Sequence, residues 1–220
     1  MSYHYTTRLT LLQRAESFRN RFCRNAPFPL DIEYLLEKEL GLELIPVSAL
    51  RQTTRVSAYL KADFSGIVID AEEYIDERFT NRLRFSLAHE IGHFILHRDI
   101  FRAQRINSID EYIEQIDELN EENWCGLEWQ ANQFAGFLLV PYHELEHRVD
   151  ETLREIEKRN LAGFLLENGE EVSSQVAPFL GRYFGVSAEV IERRLYDEGW
   201  WPINRLNQEW SPGGLERFRV

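Results

Sequence analysis

Residues 89–93 read His-Glu-Ile-Gly-His, and this pentapeptide constrains the chain more than any other stretch. It lies within residues 80–98 (TNRLRFSLAHEIGHFILHR), where Leu87, Ala88, Ile91, Phe94 and Ile95 mark one apolar stripe at helical spacing. Four residues make about 1.1 helical turns, so the imidazoles of His89 and His93 project from one face, about 6 Å apart along the axis. Two ring nitrogens so placed reach one tetrahedral ion. Glu90 lies beside it, positioned to take a proton from a metal-bound water whose pKa the metal draws towards ~7. The competing reading is a helix with two satisfied histidines. The regular amphipathic pattern, and a glycine at 92 where backbones can approach closely, weigh for the metal.

A catalytic metal usually takes three protein ligands and keeps one open position. His97 follows His93 by four residues, but it lies eight beyond His89, or ~12 Å of helix rise, so one ion cannot join all three. His97 is expected to contact a ligand from behind or to cap the helix end. The extended pattern HExxHxxGxxH is absent, because Leu96 stands at its glycine position and Asp99 at its third histidine. A downstream carboxylate is the better choice. Glu128 shares a helix face with Ala131, Asn132 and Ala135, small residues that would let this helix approach the His helix, while Phe134, Phe137 and Leu138 face a core. Asn132 is placed to support a ligand from that face. Glu118, Glu121 and Glu122 are rivals whose neighbours read as solvated. His143 and His147 fall in a highly charged helix and read as a solvated face.

Around this motif the pattern is mixed. Residues 8–24 read as an amphipathic helix, and Asp31 caps a second over Ile32–Leu40, stopped by Gly41. Strands are expected over Leu42–Val47, ended at Pro46, and over 55–61 and 66–70, with a turn around Asp63–Gly66. Helices are expected over 108–119, 124–139 and 142–159. Two more fill 173–197, broken at Gly185 with Ser187 capping the second. This is an α+β chain, mostly helical, with a small β-sheet beside the HExxH helix. Three regions are expected: an N-terminal helical extension (1–28), a central domain (29–172) that carries the HExxH helix and a polar insertion (99–123), and a C-terminal helical hairpin and tail (173–220) packed on that domain.

At this point the chain resembles the ImmA/IrrE family of metallo-endopeptidases. The first family motif stands as Arg84-Phe85-Ser86-Leu87-Ala88-His89-Glu90-Ile91-Gly92-His93-Phe94-Ile95-Leu96-His97. The second stands as Glu128-Trp129-Gln130-Ala131-Asn132-Gln133-Phe134-Ala135, followed by Leu138-Leu139-Val140-Pro141. The strand GIVID (66–70) and the stretch FGVSAEVIERRL (184–195) resemble the family too, so the likeness runs from about residue 30 to 196. It implies His89, His93 and Glu128 as metal ligands, with Glu90 as general base and later proton donor. It implies a zincin-like fold in which an edge strand, here assigned to Gly66, Ile67, Val68 and Ile69, pairs with extended substrate. It also implies an intracellular, cytoplasmic hydrolase that cuts a helix-turn-helix repressor, in effect an anti-repressor. Two histidines and a carboxylate suit Zn²⁺, and Mn²⁺ or Fe²⁺ fit the same set. The alternative is a non-catalytic interaction protein that uses the scaffold to bind a regulator or nucleic acid. The intact Glu90 favours the enzyme.

Charge refines the partner. The net charge is −12, which argues against a phosphate-tracking nucleic-acid binder. A helix-turn-helix over Phe179–Leu195 would carry Arg182, Arg193 and Arg194 as base readers. Glu189, Glu192, Asp197 and Glu198 oppose that, and a helical hairpin is the better reading. No apolar run approaches the ~18–20 residues of a membrane span. Cys23 and Cys125 imply no disulfide framework, and Cys125 reads as a buried structural thiol. Residues 110–128 hold eight acids and no Lys or Arg, so without them the charge is −12 + 8 = −4. The acidity is concentrated on the approach to Glu128. It is either a solvated helix face or a lobe that steers a basic substrate towards the metal.

Overall fold

The run Gly66–Asp70 is buried at every position, as an apolar strand covered on both faces must be. In the computed structural model, which describes residues 6–104, 121–159 and 169–200, this run is the middle of a three-stranded sheet. Strand β1 (Glu43–Val47) pairs with it in parallel, with Glu43 opposite Gly66. Strand β2 (Ala58–Leu60) pairs antiparallel with the same strand, β3 (Gly66–Asp70), with Leu60 opposite Ile67. The assignment of Gly66–Ile69 to an edge is therefore corrected. The continuous apolar run Ile67–Ile69 marks a centre, and the edges are β1 and β2. Pro46 does not end β1 but lies within it, which an edge strand tolerates because one row of its backbone groups needs no partner. Residues 55–57 are not strand, and a short helix, α3 (Leu50–Thr54), precedes them.

The helices begin with α1 (Arg8–Phe22), capped by the Thr7 hydroxyl, which accepts from the Thr10 amide. The Asp31 carboxylate caps α2 (Ile32–Tyr34) in the same way. The chain continues as a π-helix over Leu35–Leu40 and stops at Gly41, whose φ of 68° suits a residue without Cβ. Asp70 then caps α4 (Ala71–Ile75). The His helix is α5 (Thr80–Leu96), ended by His97, and α6 (Arg98–Gln104) follows. The long helix α7 (Glu121–Leu139) ends before Pro141, which cannot continue it. The helix expected over 108–119 and the Trp-rich tail from 201 onward lie outside the described residues.

The chain divides into two compact units, Met1–Leu139 and Val140–Val220. In the first, α7 is the spine. Leu11, Ala15 and Phe18 of α1 are buried, and the Phe18 and Phe134 rings meet edge-on at 5.8 Å. The Arg19 guanidinium donates to the Leu138 carbonyl at 2.6 Å, closing the end of α7. On its other side α7 meets α5 at Gly92. A Cβ on Gly92 would lie 3.0 Å from the Cα of Ala131 and 3.1 Å from its carbonyl oxygen. Both contacts are with backbone, so neither can swing away.

In the second unit, α8 (Tyr142–Lys158), α9 (Gly169–Phe184) and α10 (Ala188–Asp197) are joined by polar contacts as well as apolar ones. The Arg148 guanidinium donates to the Tyr183 hydroxyl, and that hydroxyl donates to Glu144. Arg194 is buried and pairs with Glu198 at 2.9 Å, while Arg193 pairs with Asp197. Two of the three arginines considered as base readers are thus engaged within their own helix. Ser187 occupies the N-cap position of α10, but its hydroxyl makes no cap bond. His143 and His147 are solvent-facing and near Glu146 and Glu151, as a solvated face requires.

Gly92→Ala should push α5 and α7 apart and cost roughly 1–3 kcal/mol of stability, read by chemical denaturation. A variant as stable as the natural protein would mean that the close approach does not bear on the fold.

Candidate metal centre

The face of α5 that carries Arg82, Phe85, Ser86, His89 and His93 is turned towards a cleft of about 220 Å³. Those positions recur every three or four residues, so one helical face supplies them all. Trp124, Glu128 and Asn132 of α7 line the same cleft at intervals of four. The Gly92–Ala131 contact brings the two faces together.

His89 Nε2 and His93 Nε2 lie 2.9 Å apart, and each lies 3.1 Å from a different oxygen of Glu128. The three side chains form a group that could hold a metal ion. Bonds of about 2.0–2.2 Å from nitrogen and oxygen to zinc put tetrahedral donors about 3.3 Å apart, so a slight widening seats an ion. The donor set of two neutral imidazoles and a carboxylate fits such a cation chemically. His93 is enclosed, with the Phe101 ring at 4.8 Å and the Trp124 indole stacked at 6.3 Å.

The ring nitrogens facing away from Glu128 are also engaged. His89 Nδ1 lies 2.9 Å from Asn132 Oδ1, and as an N–H donor it leaves Nε2 a lone pair. His93 Nδ1 lies 3.0 Å from His97 Nδ1, and His97 Nε2 lies 3.5 Å from Gln130 Oε1. With a cation in place, one tautomer set would satisfy the chain: His97 Nε2–H donates to Gln130, His93 Nδ1–H donates to His97, and His93 Nε2 offers its lone pair. His97 both backs His93 and ends α5, its amide donating to the His93 carbonyl at 2.9 Å.

The two carboxylates of the site are held in opposite states. Burial pushes Glu90 up to about 8, offset in part by the charge of His89 and by the Leu60 amide, which donates to Glu90 Oε2 at 2.8 Å. Burial would raise Glu128 too, but hydrogen bonds from His89 and His93 hold it far below the usual carboxylate range. Burial and the neighbouring His89 charge lower His93 to about 4, so its ring is neutral. Burial also lowers His89, yet the bond to Glu128 and the charges of Glu90 and Glu128 overcome it and raise its pKa.

Four contributions were not read from the sequence. Leu60 acts through its backbone, which no side-chain pattern reveals. Trp124 and Phe101 enclose His93, and Trp124 was within reach, since it precedes Glu128 by one turn. Three arginines, Arg51, Arg55 and Arg82, form one wall of the cleft. Cys125 is exposed, which corrects the reading of a buried thiol; the buried one is Cys23. Glu121 and Glu122, rivals for the third ligand, lie at the start of α7, and the group that could hold a metal among the described residues is His89, His93 and Glu128.

A family model described as the IrrE N-terminal-like domain of peptidases matches residues 80–196, more than half of the chain. No curated protein matches it. The match spans α5, with both histidines, and the segment of α7 that carries Glu128. Among the described residues no helix is long and apolar enough to cross a membrane.

Without metal, Glu90 gives the stability a pH slope. Its proton leaves near the ordinary 4.5 in the unfolded chain and near 8 in the folded one. Between those values unfolding releases a proton, so stability falls as pH rises. Glu90→Gln removes that slope. The metal-free variant should gain on the metal-free natural protein by roughly 3 kcal/mol between pH 5 and 7.5, measured by chemical denaturation. Parallel pH dependences would contradict the buried, neutral Glu90.

Proposed function

This chain belongs to the IrrE N-terminal-like family of metallopeptidases, and on that premise we propose that it is a zinc-dependent endopeptidase that cuts a helix-turn-helix transcriptional repressor in the cytoplasm. The observation that carries the reading is the meeting of His89, His93 and Glu128 on one cleft that also holds Glu90. His89, His93 and Glu128 would hold a divalent cation, which when bound would supply Lewis acidity towards a water and a peptide carbonyl. The same donors accept Mn²⁺ or Fe²⁺.

The other roles belong to the chain itself. Glu90 is the general base. The Leu60 amide fixes one of its oxygens and leaves the other to receive a proton. A buried carboxylate with a raised pKa suits a group that must take a proton and return it to the departing amine near neutral pH. Asn132 and His97 keep the two imidazoles turned so that their Nε2 atoms face the cleft. Phe101 and Trp124 limit water around His93.

Extended substrate would add to β2 rather than β3. The Leu60 N–H points away from β3, towards Glu90, and in an antiparallel edge the residue two positions back points the same way. Ala58 therefore offers its backbone N–H and C=O to the cleft, where a peptide strand could pair. The concentration of acids over 110–128 supports a basic partner such as a DNA-binding repressor, drawn in by its charge.

Zinc-loaded protein incubated with a candidate repressor should cut it at a defined bond. Chelator should abolish cleavage, added zinc should restore it, and Glu90→Gln should slow it by at least ~100-fold. Cleavage that survives chelation, or a Glu90→Gln variant as fast as the natural protein, would overturn the proposal.

A further inference from the structure

Three arginines, Arg51, Arg55 and Arg82, line the cleft beside the metal-site residues. Arg51 and Arg82 converge on a single carboxylate. Arg51 Nε lies 3.3 Å from Glu73 Oε1, and Arg82 is paired with that same oxygen. Glu73 is buried, with 5% of its side chain exposed, so it is a fixed anchor beneath the two guanidiniums. The Asp70 carboxylate is taken up by backbone amides, those of Arg51 and Glu73. Arg51 also donates to the Ser57 hydroxyl at 3.1 Å. Among the described residues Arg55 makes no ion pair. Two guanidiniums thus share one acid while a third has none.

Arg55 has a second distinguishing property. Its φ is 65°, in the left-handed region where a residue with a Cβ is strained. Its amide donates to the Arg51 carbonyl at 2.9 Å, so the strained turn ends α3 and leads directly into the edge strand β2. Glycine would serve there at lower conformational cost. The chain instead places this arginine in the lining of the cleft, three residues before Ala58.

We infer that Arg51, Arg55 and Arg82 form a subsite for an acidic side chain of the substrate, Asp or Glu, close to the bond that is cut. The inference rests on the metallopeptidase reading and adds the class of side chain that the cleft selects. A carboxylate entering this wall meets the Arg55 guanidinium, which has no ion pair among the described residues, beside the two guanidiniums that share Glu73. Charge-assisted bonds to a guanidinium are worth about tenfold in affinity each when partly shielded from water. A lysine in the same place would meet like charge. The acidic stretch over 110–128 and this basic wall address different parts of a partner: the first its overall charge, the second one residue beside the scissile bond.

Binding tests this independently of turnover. Zinc-loaded protein is titrated calorimetrically, at low salt, with short peptide hydroxamates bearing Asp, Asn or Lys next to the chelating end. Asp should bind about tenfold more tightly than Asn, and Lys more weakly than either. Arg55→Gly, which relieves the strained φ, should raise thermal stability while reducing the Asp preference. Arg55→Glu should reverse the order of Asp and Lys. Metal-dependent binding with equal affinity for all three peptides would overturn the acidic subsite and leave the metal site intact. If no hydroxamate binds in a zinc-dependent way, the metal reading falls, and the subsite with it.

Discussion

Everything at the centre depends on two helices touching backbone to backbone. Gly92 of α5 lies against Ala131 of α7 so closely that an added Cβ would reach 3.0 Å from the Ala131 Cα. At an ordinary helix spacing of 8–10 Å, side chains separate the axes. Here they do not, and the residues one turn away on each helix meet directly. His89 and His93 flank Gly92 in sequence, and Glu128 precedes Ala131 by three. The contact therefore delivers two imidazoles and a carboxylate to one point, 2.9 to 3.1 Å apart. The apolar packing of α1 and the far side of α7 around Phe18, Phe134 and Leu138 holds α7 in that position.

Low dielectric then divides labour between two acids separated by little space. Glu128 is half-buried and bonded by two imidazoles, and it is held ionised. Glu90 is buried with a single amide donor, and it is held near 8, ready to exchange a proton. Environment alone distinguishes them, since their chemistry is the same. The sheet contributes here through one amide of β2, whose bond to Glu90 offsets part of the rise that burial causes.

Much of this was legible in the sequence because it is local. The helix under HExxH, the impossibility of His97 as a third ligand of the same ion, and the small-residue face around Glu128 all follow from a fixed period of 3.6 residues. His97 and Asn132 fall where that period places them, behind His93 and beside His89. What failed was non-local. The expectation of an edge at Gly66–Ile69 is one such case, because four apolar or small residues without alternation are the mark of a strand covered on both faces. The short α3 and the left-handed turn at Arg55 have no period to detect. The arginine wall draws on three segments that only folding brings together. Cys125, one turn before Trp129, gave no sign of which way it faced.

The proposed activity requires that His89, His93 and Glu128 together hold one divalent cation at the α5–α7 contact. Elemental analysis of purified protein, side by side with Glu128→Ala, tests it most directly. One metal ion per chain is expected in the natural protein and a small fraction of that in the variant, with both folded by circular dichroism. A full complement of metal in folded Glu128→Ala would contradict the claim, because the ion would then be held elsewhere or by the histidines alone.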